Sequence, residues 1–251
     1  MTSIILFYAL LCSDDAGRAF NEQFEGYEAC LIVHKVDGGF ERVFNMERAS
    51  VPFSPCSTFK IPHAVFALHF GVTSPEEVFQ WDGTPQQLDR WERDFTLSTA
   101  IEYSAVPVFQ TIAQRIGVER EKELLKALNY GNQDITGGLE KFWLTSTLKI
   151  SATKQRDLLI DLVKLDWPAS KSSQRWIKSH LLVEEGSGYR LFGKTGSGVL
   201  RDGWQLGWWV GWVESGEDTW VFVGNYEGPD SMGHRMKPKV DAVLYALGLI
   251  S

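Results

Sequence analysis

The chain has 251 residues, 44% of them hydrophobic, enough for one large domain or two smaller ones with an ample core. Its formal net charge of -7 excludes nucleic acid as a general electrostatic partner, because phosphate binding needs a basic face. Five scattered histidines (34, 63, 69, 180 and 234), with no Cys-x-x-Cys or His-Glu-x-x-His spacing, argue against a metal site and read as core edge or surface.

In chain order, Met1-Thr2-Ser3 leads into the apolar run Ile4 to Leu11, which has the length of a signal-peptide core and is too short to span a bilayer. No Lys or Arg precedes the run and no small-x-small site follows it, so a mature N-terminal strand is the alternative. The reading adopted is export, with residues 1–16 as leader and 17–251 as a single domain. Asp14 to Phe24 reads as a short helix, and Tyr27 to Lys35 and Phe40 to Phe44 as strands paired across Val36-Asp37-Gly38-Gly39. The stretch from Ser57 to about Leu182 is mostly helical: Thr58 to Phe70, Ala105 to Ile116, Glu119 to Leu128, Lys154 to Leu165 and Ser172 to Leu182. Strands follow at Tyr189 to Thr195, Gln205 to Glu214 and Trp220 to Tyr226, then a closing helix from Lys237 to Leu247. This order predicts an α+β fold, with one antiparallel sheet built from both termini, flanked by helices, and an inserted, mainly helical lobe. Cys30 and Cys56 either pair in an oxidising compartment or remain two buried thiols.

The most informative segment is Ser57-Thr58-Phe59-Lys60, reached through Pro52-Phe53-Ser54-Pro55-Cys56. A serine hydroxyl needs a neighbouring base, and three-residue spacing at a helix start puts a lysine amine on the same face. Roughly one Ser-x-x-Lys is expected by chance in such a chain. Ser146/Lys149 and Ser151/Lys154 also match and read as solvated residues near a helix start. Pro62 is tolerated only in the first turn, so the helix should begin near Thr58 with Ser57 at its N-terminus, where free N–H groups favour developing negative charge. Downstream, Ser104-Ala105-Val106 opens a second apolar segment, with Ser104 also placed to cap the helix after it, and Lys194-Thr195-Gly196 ends a strand-like run.

Ser-x-x-Lys, a second serine element and Lys-Thr-Gly, in that order, resemble the set used by serine β-lactamases and penicillin-binding proteins. Ser-Ala-Val stands where class A β-lactamases show Ser-Asp-Asn, and Leu125 where they need a glutamate. Tyr130-Gly131-Asn132, Lys141-Phe142-Trp143-Leu144 and Gly207-Trp208-Trp209-Val210-Gly211-Trp212 resemble instead the class D, oxacillinase-type enzymes, from about Phe20 to the C-terminus.

The resemblance implies hydrolysis of a small-molecule β-lactam through an acyl-enzyme on Ser57, with the N–H groups of Ser57 and Ser197 as oxyanion hole. Ser104, helped by Lys194, would relay a proton to the leaving nitrogen. Thr195 and Arg235 would hold the substrate carboxylate, with Val106 and Gly196 beside the substrate. Arg235 is carried over by its place ahead of the last helix, and an exposed surface arginine is the alternative. Desolvation by Phe59, Val106, Trp143 and Leu144 would disfavour the Lys60 ammonium, and the neutral amine would take up CO2 to become an N-carboxylated lysine, the general base. The Trp143 indole would support the carbamate, on a loop shaped by Tyr130-Gly131-Asn132. No metal or organic cofactor is implied, only CO2 or bicarbonate. The alternative function is a penicillin-sensing, receptor-type domain that stays acylated. A cell-wall transpeptidase is disfavoured by Ser-Ala-Val and Trp143. The location implied is the periplasm or the medium.

Overall fold

The computed structural model describes residues 15–201 and 203–251, so most of the expected leader, residues 1–16, lies outside the described residues. In chain order the elements are α1 (15–23), β1 (Glu28–Lys35), β2 (Glu41–Phe44), α2 (Met46–Ser50), a 3-10 turn (Cys56–Phe59), α3 (Lys60–His69), β3 (Val78–Phe79), β4 (Phe95–Thr96) and α4 (Leu97–Glu102). Then come α5 (Val106–Ala127), α6 (Ala152–Val163), α7 (Lys171–His180), β5 (Leu182–Gly186), β6 (Tyr189–Arg201), β7 (Trp204–Ser215), β8 (Asp218–Pro229) and α8 (Gly233–Ala246). They form two units. One contains the described part of Met1–Val51, with Ser151–Ile160 and Leu182–Ser251; the other contains Pro52–Ile150 and Asp161–Leu181.

The first unit is built on a six-stranded antiparallel sheet in the order β2-β1-β8-β7-β6-β5. The termini meet in it as expected, β1 pairing with β8 from Glu28↔Glu227 to Lys35↔Trp220. A two-residue connection ending the Ser215↔Asp218 pair links β7 to β8, and Gly216 supplies the positive φ that such a hairpin needs. On α8, Met236, Val240, Val243 and Leu244 fall at helical spacing and make one apolar stripe. That stripe packs with Ala16 and Phe24 and with Leu31, Val33, Leu191, Trp209, Val213 and Phe222 of the sheet. Gly224 lets the helix close on the sheet, since a Cβ there would stand 2.6 Å from the Met236 methyl.

The second unit is helical around α3, of which every residue from Lys60 to Ala67 is buried. Phe109, Ile112, Ala113 and Ile116 of α5 share its interior with Phe59, Phe142 and Trp143. The β3–β4 ribbon and the Phe53↔Ile150 bridge complete it.

Several boundaries differ from the sequence expectations. Leu182, expected to end a helix, begins edge strand β5. β6 does not stop at Thr195 but continues to Arg201, so Lys194-Thr195-Gly196 lies in mid-strand, held by pairing of every residue from Tyr189 to Val199 with β7. α8 starts at Gly233 and tolerates Pro238 inside it, so Arg235 belongs to its first turn rather than preceding it. The short helices α2 and α4 had no sequence reading. The break expected between Ile116 and Glu119 is present: Gly117, with φ 78° and ψ 165°, divides α5 into two helical parts. Cys30 and Cys56 are both free, buried thiols.

Candidate active site

The approach to Ser57 is fixed by one long-range backbone pair and by bonds within the turn. Phe53 and Ile150 exchange backbone bonds of 3.0 and 2.8 Å, Cys56 adopts a left-handed φ of 51°, and the Thr58 hydroxyl donates to the Pro55 carbonyl at 2.8 Å. The turn so formed is 3-10, and α3 itself begins at Lys60, two residues later than expected. Pro62 is then the third residue of α3, close behind the junction where the 3-10 turn passes into the helix. The turn delivers the Lys60 amine to 2.7 Å from Ser57 Oγ.

Ser57 is half-buried, whereas Lys60 has no exposed surface. The lysine Nζ stands 4.9 Å from the Trp143 ring centroid and 5.5 Å from that of Phe109. A charged amine in such a place loses the hydration an ammonium depends on. Trp143 is itself fully buried, and its indole nitrogen has no hydrogen-bond partner among the described residues. Burial pushes the neighbouring Cys56 thiol up to about 11, and drives the Tyr130 phenol well above its ordinary value against the opposing hydrogen bond with Thr58.

Tyr130-Gly131-Asn132 braces the segment behind Trp143. The Asn132 amide donates to the Thr147 carbonyl at 2.9 Å and accepts from the Lys149 N–H at 2.9 Å, while Leu148 N–H returns to the Phe142 carbonyl at 3.0 Å. Gly131 is required there, because a Cβ would lie 1.9 Å from the Lys149 carbonyl oxygen. Val106 and Leu144 border an open recess of about 450 Å³, together with Trp91, Pro107, Gln110 and Lys141.

Ser104 occupies a left-handed turn, φ 53°, between α4 and α5. It is not the helix cap expected from sequence: Ala105 takes the N-cap position, with no side-chain bond, and Pro107 follows in the first turn. Ser151, by contrast, does act at a helix start, its hydroxyl accepting from Lys154 N–H at 3.2 Å.

Lys194, Thr195, Gly196 and Ser197 lie consecutively on β6 in the sheet unit. Lys194 is 5% exposed and donates to the Thr195 carbonyl at 3.2 Å. Gly193 leaves room for the Trp209 ring, which a Cβ would approach to 2.4 Å. Gly233 comes so close to Gly196 that its own Cβ would be 2.4 Å from the Gly196 carbonyl oxygen. The Ser197 hydroxyl accepts from Gly233 N–H at 2.8 Å, satisfying one of the open donors at the start of α8. Sequence reading gave Ser197 only a backbone role. Arg235 is exposed and pairs with Asp230.

The family model of the penicillin binding protein transpeptidase domain matches residues 34–245. β-Lactamase OXA-48 of Klebsiella pneumoniae is 43% identical over 93% of this chain and 89% of its own length, and OXA-10 of Pseudomonas aeruginosa is 40% identical over 87% and 84%. The chain belongs to the class D β-lactamases. Two solved structures agree: the class D β-lactamase from Bacillus subtilis (TM-score 0.87, 36% identity, 92% of this chain and 96% of that one) and FUS-1 (OXA-85) from Fusobacterium nucleatum (TM-score 0.88, 31% identity, 93% and 99%). As a class D β-lactamase the protein is a β-lactam hydrolase. Among its described residues no helix is long and apolar enough to cross a membrane.

One pair in this class D β-lactamase was passed over in the sequence. His63, read as core edge or surface, is fully buried, with Nε2 2.8 Å from Oε1 of the equally buried Glu121. The only sequence signal was a polar residue set inside the apolar run Ile61 to Phe66.

Proposed function

We propose that the protein hydrolyses β-lactams through a Ser57 acyl-enzyme, with Lys60 working in its N-carboxylated form. The observation that carries the reading is the Lys60 amine, 2.7 Å from Ser57 Oγ, enclosed by Phe109 and a Trp143 whose buried N–H lacks a partner among the described residues. A carbamate oxygen on Lys60 is an acceptor of the kind that N–H lacks, so the residues fit the modification. When carboxylated, Lys60 supplies a general base at neutral pH.

Ser57 Oγ attacks the β-lactam carbonyl carbon and gives up its proton on the Lys60 side. The C–N bond of the ring opens, and the freed nitrogen takes a proton through Ser104, assisted by Lys194. Backbone N–H groups of Ser57 and Ser197 hold the developing oxyanion, each worth roughly 3 kcal/mol in comparable enzymes. Thr195 and Arg235 receive the substrate carboxylate. The exposed Arg235–Asp230 pair opposes this only weakly, since such pairs contribute about 0–1 kcal/mol. Val106, Leu144 and Gly196 shape the substrate's surroundings. The relatives being bacterial β-lactamases, export to the periplasm or medium goes with the same reading.

Intact mass after brief exposure to a penicillin tests both the nucleophile and the turnover. One drug mass should appear on the peptide containing Ser57 and vanish within seconds at stoichiometric drug, and Ser57→Ala should never acquire it. An adduct on the mutant overturns the nucleophile; an adduct that persists for many minutes replaces the hydrolase by a penicillin sensor.

A further inference from the structure

His63 lies three residues beyond Lys60, on the same face of α3. Its imidazole is the neighbour common to both rings that flank the lysine amine. It meets Trp143 edge-on at 5.7 Å and lies parallel to Phe109 at 6.4 Å, while Phe59 and Phe142 close the remaining sides edge-on at 4.3 and 6.0 Å. These edge-on and parallel ring contacts confine the imidazole by shape, but offer its nitrogens no hydrogen bond. Among the described residues its hydrogen bond is the 2.8 Å one to Glu121, which projects inward from the part of α5 beyond the Gly117 interruption.

A carboxyl group with no exposed surface is costly to keep unless its bond serves a purpose. Here the pair is only half satisfied, because Nδ1 of His63 and Oε2 of Glu121 are buried without a partner among the described residues. Stability alone would be served as well or better by two apolar residues of similar shape.

We propose that His63, clamped by Glu121, is the positioning residue that holds Trp143 and Phe109 around the Lys60 amine in the arrangement that retains the carbamate. The inference rests on the carboxylated-lysine reading above. Acylation of Ser57 is not expected to depend on the pair; retention of CO2 on Lys60 is.

The test compares wild type, Glu121→Gln, which keeps an acceptor for the imidazole, and the double variant His63→Phe/Glu121→Leu, which keeps a ring but removes the clamp. Carbamate is read directly by 13C NMR after exchange with labelled bicarbonate, and functionally as the bicarbonate concentration giving half-maximal turnover. Ser57 acylation by stoichiometric penicillin and thermal melting are followed in parallel. The double variant should fold and acylate like wild type while needing roughly tenfold more bicarbonate. Glu121→Gln should stay near wild type.

A folded double variant with the wild-type bicarbonate requirement overturns the proposal, as does a Glu121→Gln variant impaired as far as the double one. If the double variant does not fold, His63→Asn takes its place with the same two outcomes. Absence of a carbamate signal in wild type itself defeats the carboxylated-lysine reading before any variant is considered.

Discussion

Trp143→Phe separates the contribution of one N–H from that of the ring that carries it. In the unmodified protein the indole nitrogen has no acceptor among the described residues, so removing it forfeits no hydrogen bond seen there and relieves a buried unsatisfied donor worth about 1–3 kcal/mol. Against this stands lost volume on the order of 40 Å³, which at about 24 cal/mol per Å³ costs about 1 kcal/mol. Uncarboxylated stability should therefore change little. The carbamate, by contrast, loses a donor to an anion, worth about 1.5–3 kcal/mol, or roughly 10- to 150-fold in bicarbonate requirement. Lower pH acts in the same direction, since an ammonium cannot take up CO2. The assay is the initial rate of penicillin hydrolysis against bicarbonate in degassed buffer, at neutral and mildly acidic pH, with melting curves on the same samples. A variant with an unchanged bicarbonate requirement would refute the reasoning about Trp143, and a wild type indifferent to bicarbonate in acidic buffer would refute the mechanism.

The two thiols give an alkaline signature: burial holds both Cys30 and Cys56 near 11 against an ordinary 9.0, so the folded state keeps protons that the unfolded chain sheds. Stability should thus be full below about pH 9 and fall as pH climbs toward 11, by at most about 2–3 kcal/mol per thiol, and Cys56→Ala should flatten that slope in urea titrations. Alkylation of either thiol by iodoacetamide at pH 8 without denaturant would contradict it. Gly131→Ala should lower the denaturant midpoint, because a left-handed alanine costs about 1–2 kcal/mol and its Cβ also collides with the Lys149 carbonyl; an unshifted midpoint would show that the Asn132 brace can move freely.

What could be read from the sequence was local. Ser57 and Lys60 sit in one turn, and the spacing that brings them together needs no other part of the chain. The sheet was legible because its strands are long and apolar, and the helical middle because its periodicity is sustained. β6 was cut short because Gly196, Ser197 and Gly198 are turn formers by local preference; pairing with Trp208, Gly207 and Leu206 of β7 overrides it. β5 was missed because Leu182 to Glu185 are exposed residues on a sheet edge, with no alternation to betray a buried face. Glu121 could not be singled out from Glu119 and Glu123, its neighbours in a charged stretch. Which of the three turns inward is settled 58 positions away, at His63.

The pairing of β1 with β8 also governs the order in which the molecule can assemble. Lys35 waits for Trp220, 185 residues later. At about 5–20 residues per second, a ribosome takes roughly 10–40 s to supply that partner. During the wait Cys30, Leu31, Ile32 and Val33, fully covered in the finished sheet, stand on a strand with one open edge. Most of the helical unit, Pro52–Ile150, has emerged well before β8 and is free to condense first. A chain of this topology that appears N-terminus first, at a ribosome or at an export channel, therefore offers a chaperone an apolar strand until β8 arrives.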